Sequence, residues 1–336
     1  MYTRILSPTK EHIELCAHAI KTGKIVAFPT ETVYGLGASA FDPNATKKIF
    51  EAKGRPADNP LIVHVADKSQ IEEVAESIPP LAEKLIDRFM PGPLTILLKK
   101  KSVIPSEVTA GLDTVGVRMP SSEVCRKFLT ACGVPVCAPS ANTSTRPSPT
   151  CARHVLEDLD GKLEYILDGG ECEIGLESTI LDLSGDKPRL LRSGGVSIER
   201  IKAVLNCDIE MGNVKDGDKP PCPGMKYKHY SPKAEVYFSA FYNGMTKGIS
   251  DLYDILEDKD KRPVILCLDT HSTVYSPRKC YNMGKSYEDY AHNLFAALRR
   301  ADREGYDSVI AEGVPSDGIG AAIINRMIKS SGGKTV

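Results

Sequence analysis

Residues 42–66 read DPNATKKIFEAKGRPADNPLIVHVA, and the fold class turns on how this stretch divides. Asp42 is a good N-cap, Pro43 suits the first helical position, and Gly54 is placed to end the helix that follows. PLIVHVA is a β-rich apolar run. Helix, short loop and strand in succession are the pattern of an α/β domain. The pattern holds outward. GKIVAFPTETV, GPLTILL, TVGVRMP, VPVCAPSA, EYILDGG, STILDLS and PRLLRSGG read as strands or strand ends, and SSEVCRKFLTACG and CARHVLEDLDGK as helices between them.

This alternation defines a first domain over residues 1–206. Residues 207–233 are rich in Pro, Gly and charge and poor in apolar periodicity, and predict an interdomain linker. In residues 234–336, AEVYFSA, RPVILCLDT and DSVIAEGVP predict strands, and SYEDYAHNLFAALRRADREG a helix, so a smaller parallel α/β domain is expected.

Composition narrows the function. The 336 residues, 41% hydrophobic and 26% charged, suffice for two domains, at ~100–200 residues each. Lys plus Arg number 43 against 44 Asp plus Glu, and neither side of Lys233 carries an excess of cations. A surface that holds nucleic acid along its whole length needs that excess, so direct nucleic-acid binding is expected to be weak at most. The N-terminal residues lack a signal-peptide h-region and no apolar run reaches membrane-spanning length; the expectation is a cytoplasmic protein with no membrane partner. Ten Cys with no C-x-x-C pair predict buried or free thiols rather than a disulfide framework or a zinc site.

Two glycine motifs are set aside. GLGASA (35–40) has the spacing of a dinucleotide loop, but no helix follows directly; it reads as a tight turn. SGGKT near the C-terminus has the Gly-Lys-Thr of a P-loop, with Ile328 where the first glycine belongs.

The loop after Gly54 carries the chemistry. Lys53 and Arg55 complement the negative end of the helix, which explains their charge alone. Pro56 and Pro60 fix the backbone and Asn59 adds hydrogen-bonding capacity, so the cations are held rigidly, as anion binding requires. Loop cations are cheap to remove from a fold, so Ala at Lys53 or Arg55 is expected to reduce activity with little loss of stability. Arg118 and Arg192 end apolar strands, and Ser140 and Asn142 follow VPVCA, where a structural turn is an equal alternative. His64, in LIVHV, has the bland reading of a satisfied core histidine. No G-x-S-x-G, no H-E-x-x-H and no dense carboxylate cluster is present. Chemistry here rests on positioning and electrostatics.

PTETVYGLG, KGRP with NPLIVH, PGPLT, VGVRMP, PSAN, ESTI, LRSGG and PGMKYKHYSP occur in that order. Together they resemble the threonylcarbamoyl-AMP synthases of the YrdC-like family, over about residues 10–233, and the trailing domain resembles the long, two-domain form. The resemblance implies a YrdC-like twisted mixed sheet followed by a Rossmann-like domain. It also implies a nucleotidyltransferase that converts L-threonine, bicarbonate and ATP to threonylcarbamoyl-AMP and pyrophosphate, for threonylcarbamoyladenosine modification of tRNA. Carbamoyl transfer in hydrogenase maturation uses a similar domain, but the zinc modules and acylphosphatase-like segment of those proteins are missing.

By the same resemblance, Lys53 and Arg55 are catalytic. Arg55, Asn59, Thr114, Ser140, Asn142, Ser148, Arg192 and Tyr230 bind ATP. Thr32, His64, Arg118, Ser178 and the backbone of Ala138 bind L-threonine, with Arg118 on its carboxylate. Mg²⁺ enters with ATP; Glu31 and Glu177 are candidates only for its outer ligands. The segment at Tyr230 or His229 is expected to fold over the pocket, although composition alone suits a flexible tether. Implied partners are the downstream tRNA threonylcarbamoyl-transfer proteins.

Overall fold

The computed structural model describes residues 2–212, 220–223, 229–242 and 244–336. It divides into two compact units. The first comprises Met1–Ser144, Pro149–Glu173 and Glu177–Lys226, and the second Thr145–Ser148, Ile174–Leu176 and Tyr227–Val336. Tyr227, with the rest of 224–228, lies outside the described residues.

Among the described residues, the first unit is built on eleven strands: β1 (Arg4–Leu6), β2 (Val26–Phe28), β3 (Gly35–Ser39), β4 (Ile62–His64), β5 (Leu94–Lys99), β6 (Thr114–Arg118), β7 (Val136–Ala138), β8 (Tyr165–Leu167), β9 (Thr179–Asp182), β10 (Arg189–Arg192) and β11 (Glu210–Met211). Their order across one sheet is β1-β8-β2-β3-β7-β4-β6-β5-β9-β10-β11. Pairs β4/β6 and β5/β9 are parallel while β7/β4, β6/β5 and β9/β10 are antiparallel, so the sheet is mixed as expected.

GLGASA corrects the sequence reading. It is not a tight turn: Gly35–Ser39 form β3, antiparallel to both β2 and β7. A Cβ on Gly37 would lie 2.7 Å from Val136 Cγ1 and 2.8 Å from Phe28 Cε1. The glycine is there to let neighbouring side chains cross the strand. The linker reading also loses a piece to the sheet, since Glu210–Met211 pair in parallel with β10.

Register and the two-residue repeat of a strand assign each side chain to a face. Val63, Val115, Val117, Cys137, Leu181 and Ile96 enter the larger core, against Ile49, Phe50, Leu85 and Ile201 from helices Pro43–Lys53, Pro80–Phe89 and Ile198–Leu205. The opposite face carries His64, Ala138, Arg118, Thr95 and Ile180, aligned by the pairs His64↔Arg118, Ile62↔Ala138 and Thr95↔Ile180. Helices Lys10–Lys21 and Glu123–Cys132 cover one half of this face through a core with Phe28, Val136 and Leu167. Over the other half, Ile62, Leu97, Ile180 and Leu191 pack with Cys222, from the short described segment 220–223.

The second unit has β12 (Glu235–Phe238), β13 (Pro263–Cys267), β14 (Cys280–Asn282) and β15 (Ser308–Ala311) in the order β12-β15-β13-β14, all parallel. Its long helix Tyr287–Arg303 starts in a capping box of Ser286 and Asp289. Glu312, just past β15, is 1% exposed and accepts from the Leu268 amide at 2.9 Å and Tyr275 Oη at 2.7 Å, with His271 Nδ1 at 2.9 Å. SGGKT lies at the end of helix Gly320–Ser331, with Gly332 as its C-cap, so no helix follows the glycines. All ten cysteines are free thiols, and no helix among the described residues is long and apolar enough to cross a membrane.

Candidate active site

The loop from Pro29 to Tyr34 is shaped by its own hydroxyls. Thr30 Oγ1 accepts from the amides of Thr32 and Val33 and donates to the Val33 carbonyl at 2.6 Å. Tyr34 anchors the loop's end, donating to the Gly170 carbonyl at 2.7 Å and accepting from the Gly169 amide at 3.0 Å. Burial and the nearby Asp168 push its phenol up, so Tyr34 stays neutral. Glu31 and Thr32 are thereby held in buried positions.

Arg118, 3% exposed at the end of β6, meets them there. Its Nη1 donates to Thr32 Oγ1 at 2.7 Å, Nη2 lies 2.8 Å from Glu31 Oε1, and Nε donates to the Gly92 carbonyl at 3.3 Å. His64 stands opposite Arg118 on β4, its ring edge-on to Phe28 and Nδ1 3.1 Å from the Ile62 carbonyl. Burial, and then the Arg118 charge, depress its pKa to about 3. His64 is therefore a neutral imidazole with Nδ1 donating. It has the hydrogen bond of a satisfied core histidine and stands beside Arg118.

Ser178 and Arg192 continue the same face. Ser178 Oγ lies 2.8 Å from Thr95 Oγ1, and Arg192 donates to the Ser178 carbonyl from Nε at 3.1 Å and Nη2 at 3.0 Å. Arg192 Nη1 donates to the Pro223 carbonyl at 3.3 Å, joining segment 220–223 to the sheet beside Cys222. Gly194 lets the loop after β10 pass close to Ser178, because a Cβ there would lie 2.3 Å from Ser178 backbone.

Lys53 closes the other end. The residue is 2% exposed, its ammonium donates to the carbonyls of Ser140 and Asn142, and its own carbonyl accepts from the Ser144 amide at 3.0 Å. Ser140 Oγ donates to Asn142 Oδ1, and Asp158 accepts from the Thr143 amide at 3.1 Å. Arg55 Nη2 donates to the carbonyls of Asn59 and Pro60, each at 3.2 Å, curling the loop on itself. Asn59 Oδ1 is buried with no hydrogen-bond partner among the described residues. The expectation that Lys53 is cheap to remove is corrected by this burial: its charge stitches two loops together.

Thr114 begins β6 opposite Lys99. It shares a face with Arg118 but stands four residues away, a span on the order of 13 Å. Ser148 and Tyr230 belong to the second unit. Ser148 is 1% exposed there, and Tyr230 is buried, stacked on Phe295 at 5.2 Å with the Arg326 guanidinium 5.7 Å from its ring. Glu177 is buried beside Ser178. Sequence reasoning passed over Glu31 as an ion-pair partner of Arg118, and over Tyr34, Gly92, Thr95 and Asp158. Gly92, Thr95 and Tyr34 lie inside the motifs PGPLT and PTETVYGLG, so the signal was present in the motif and not in the residue type.

Known proteins resemble this chain in sequence and fold. Residues 18–194 match the Sua5, YciO and YrdC family described as "Telomere recombination", and residues 196–332 match the threonylcarbamoyl-AMP synthase C-terminal domain. The chain is 48% identical to the threonylcarbamoyl-AMP synthase of Pyrococcus abyssi over 95% of its length and 94% of the relative's, and 43% identical to that of Bacillus subtilis over 98% and 96%. The crystal structure of P. abyssi Sua5 complexed with L-threonine superposes with a TM-score of 0.93 at 45% identity, covering 99% of each chain. Escherichia coli YciO, 22% identical with a TM-score of 0.52, covers 57% of this chain and 96% of its own, and shares the fold. On the strength of both domains and near full-length identity, the chain belongs to the two-domain threonylcarbamoyl-AMP synthases, a family of transferases.

Proposed function

We propose that the half-open sheet face of the first unit is where L-threonine, bicarbonate and ATP become L-threonylcarbamoyl-AMP and pyrophosphate, the activated group for threonylcarbamoyladenosine in tRNA. The observation that carries this reading is Arg118, buried and fixed by Thr32 and Gly92 on the same face as Arg192 and Ser178. Threonine would lie against Thr32, His64, Ala138 and Ser178 with its carboxylate at Arg118, since a planar guanidinium matches a carboxylate. ATP would lie toward Arg55, Asn59, Thr114, Ser140, Asn142 and Arg192. Lys53 places positive charge at the Ser140–Asn142 turn, beside the phosphates, where charge develops as the carbamate oxygen attacks the α-phosphorus and pyrophosphate leaves.

Mg²⁺ would arrive on the phosphates of ATP, held by their oxygens and water. No three His, Cys, Asp or Glu side chains converge as a metal cage among the described residues. Segment 220–223, seated on the floor through Cys222 and Pro223, would limit water at a hydrolysable mixed anhydride. Cytoplasmic action with downstream tRNA threonylcarbamoyl-transfer proteins completes the proposal.

The test is pyrophosphate release from ATP and Mg²⁺, omitting threonine and bicarbonate in turn. Release that requires both is expected. Release that ignores either, or no release, overturns the reading.

A further inference from the structure

We propose that Glu31 is the residue that recognises the α-ammonium of the amino-acid substrate. The proposal rests on the reading of this face as a threonine site. Free threonine is a zwitterion, and burying its carboxylate against Arg118 alone would strand a desolvated ammonium, which costs far more than a neutral polar group. The buried sheet face already carries the complement. Glu31 is 3% exposed, Oε1 lies 2.8 Å from Arg118 Nη2 as an ion pair, and neither Oε1 nor Oε2 makes a hydrogen bond among the described residues.

A guanidinium and a carboxylate side by side match a molecule whose carboxylate and ammonium are one carbon apart. Laid head to tail, the four charges sum to zero and each faces its opposite. The titratable neighbours leave that balance alone. His64 is kept neutral by burial and by Arg118. The thiols of Cys125 and Cys172 sense both Glu31 and Arg118, and burial pushes them up, so they stay protonated. Thr32 Oγ1 already engages Nη1 of Arg118 and Thr30 Oγ1, so the adjacent acceptor outside the ion pair is Oε2 of Glu31.

A bland role exists: Glu31 neutralises Arg118 and nothing more. The two roles separate on a ligand that keeps the carboxylate and loses the ammonium. Titration calorimetry would compare L-threonine with (2S,3R)-2,3-dihydroxybutanoate, its hydroxy-acid analogue, on the full chain. The wild type should prefer threonine by about 100-fold or more, as expected when one member of a buried charge pair is missing. Glu31→Gln should weaken threonine by about 100-fold, leave the hydroxy acid within about threefold, and so erase the preference. Glu31→Asp, which keeps the charge, should keep most of it.

Equal weakening of both ligands in Glu31→Gln would assign Glu31 to Arg118 alone and overturn the proposal. A wild-type preference below about tenfold would overturn it without any variant. A wild type that binds neither ligand removes the threonine reading itself and this proposal with it; threonine binding with an unchanged preference in Glu31→Gln removes only the proposal.

Discussion

The Lys53 ammonium donates to the carbonyl of Asn142, 2.5 Å away and 89 residues on in the chain. A cation that looks like a helix-end ornament in the sequence is a buried joint between the end of its helix and the turn after β7. Removing it leaves the buried Asn142 carbonyl and the part-buried Ser140 carbonyl without their donor, a loss of about 1–3 kcal/mol for a fully buried group and less for the other. Lys53→Ala should therefore lower unfolding free energy by about 2–4 kcal/mol in urea and abolish pyrophosphate release. A loss of activity with unchanged stability would mean that the joint is not formed in solution.

Arg55 should behave differently. It is half-buried, and its bonds to the Asn59 and Pro60 carbonyls lie within one loop. Arg55→Ala should cost less than about 1 kcal/mol of stability, in the range of an ordinary hydrogen bond. It should reduce turnover by about 100-fold or more if the guanidinium meets developing phosphate charge. The two variants measured side by side separate a joint from a contact.

Gly37 tests the corrected third strand. With Val136 Cγ1 at 2.7 Å and Phe28 Cε1 at 2.8 Å from the position of a Cβ, Gly37→Ala should destabilise the protein by about 1–3 kcal/mol through overpacking. Adding Val136→Ala should recover part of that loss, a non-additivity that residues in contact produce. Additive urea-unfolding energies would show that the two positions do not touch.

The same position shows where sequence stopped being legible. Helix Pro43–Lys53 could be read because its ends are local: the Asp42 carboxylate accepts from the Asn44 and Ala45 amides, and Gly54 takes the left-handed conformation at φ 59°. β3 could not, since glycines lower strand propensity and the reason for them, a phenylalanine crossing from β2, is a tertiary fact. β1 and β14, three residues each, are too short to show a period. For the site, Arg118 and Arg192 were legible as strand-end cations. Their meeting on one face depends on the register of β4, β6, β5, β9 and β10, which are not consecutive. Likewise, nothing near Glu31 in the chain announces a partner 87 residues away.

Glu312 makes a prediction for the second unit. Its carboxylate ties the end of β15 to the loop after β13 through the Leu268 amide, His271 and Tyr275. Glu312→Ala strands the buried Tyr275 hydroxyl and two part-buried donors and should cost about 1–3 kcal/mol, whereas Glu312→Gln keeps an acceptor and should cost less. Urea unfolding of each variant followed by circular dichroism measures these costs. A cost below about 0.5 kcal/mol in the Ala variant would leave the clasp without energetic weight.

His64 gives the pH dependence its sign. Burial and Arg118 hold its folded-state pKa near 3, against about 6.5 for an unfolded histidine. Between these values the unfolded chain binds a proton that the folded chain refuses, so falling pH favours unfolding. The contribution is fully present above pH 6.5 and is lost as pH drops toward 3, at up to about 1.4 kcal/mol per pH unit. Replacing the imidazole with a group that does not titrate should flatten this limb. Unfolding free energies of the wild type and His64→Asn, measured from pH 7.5 to 4.5, should converge as pH falls, whatever the variant costs at neutral pH. Parallel curves would mean that His64 takes its proton in the folded state too. In that case Arg118 would share its face with a second cation, and the charge balance around Glu31 would have to be redrawn.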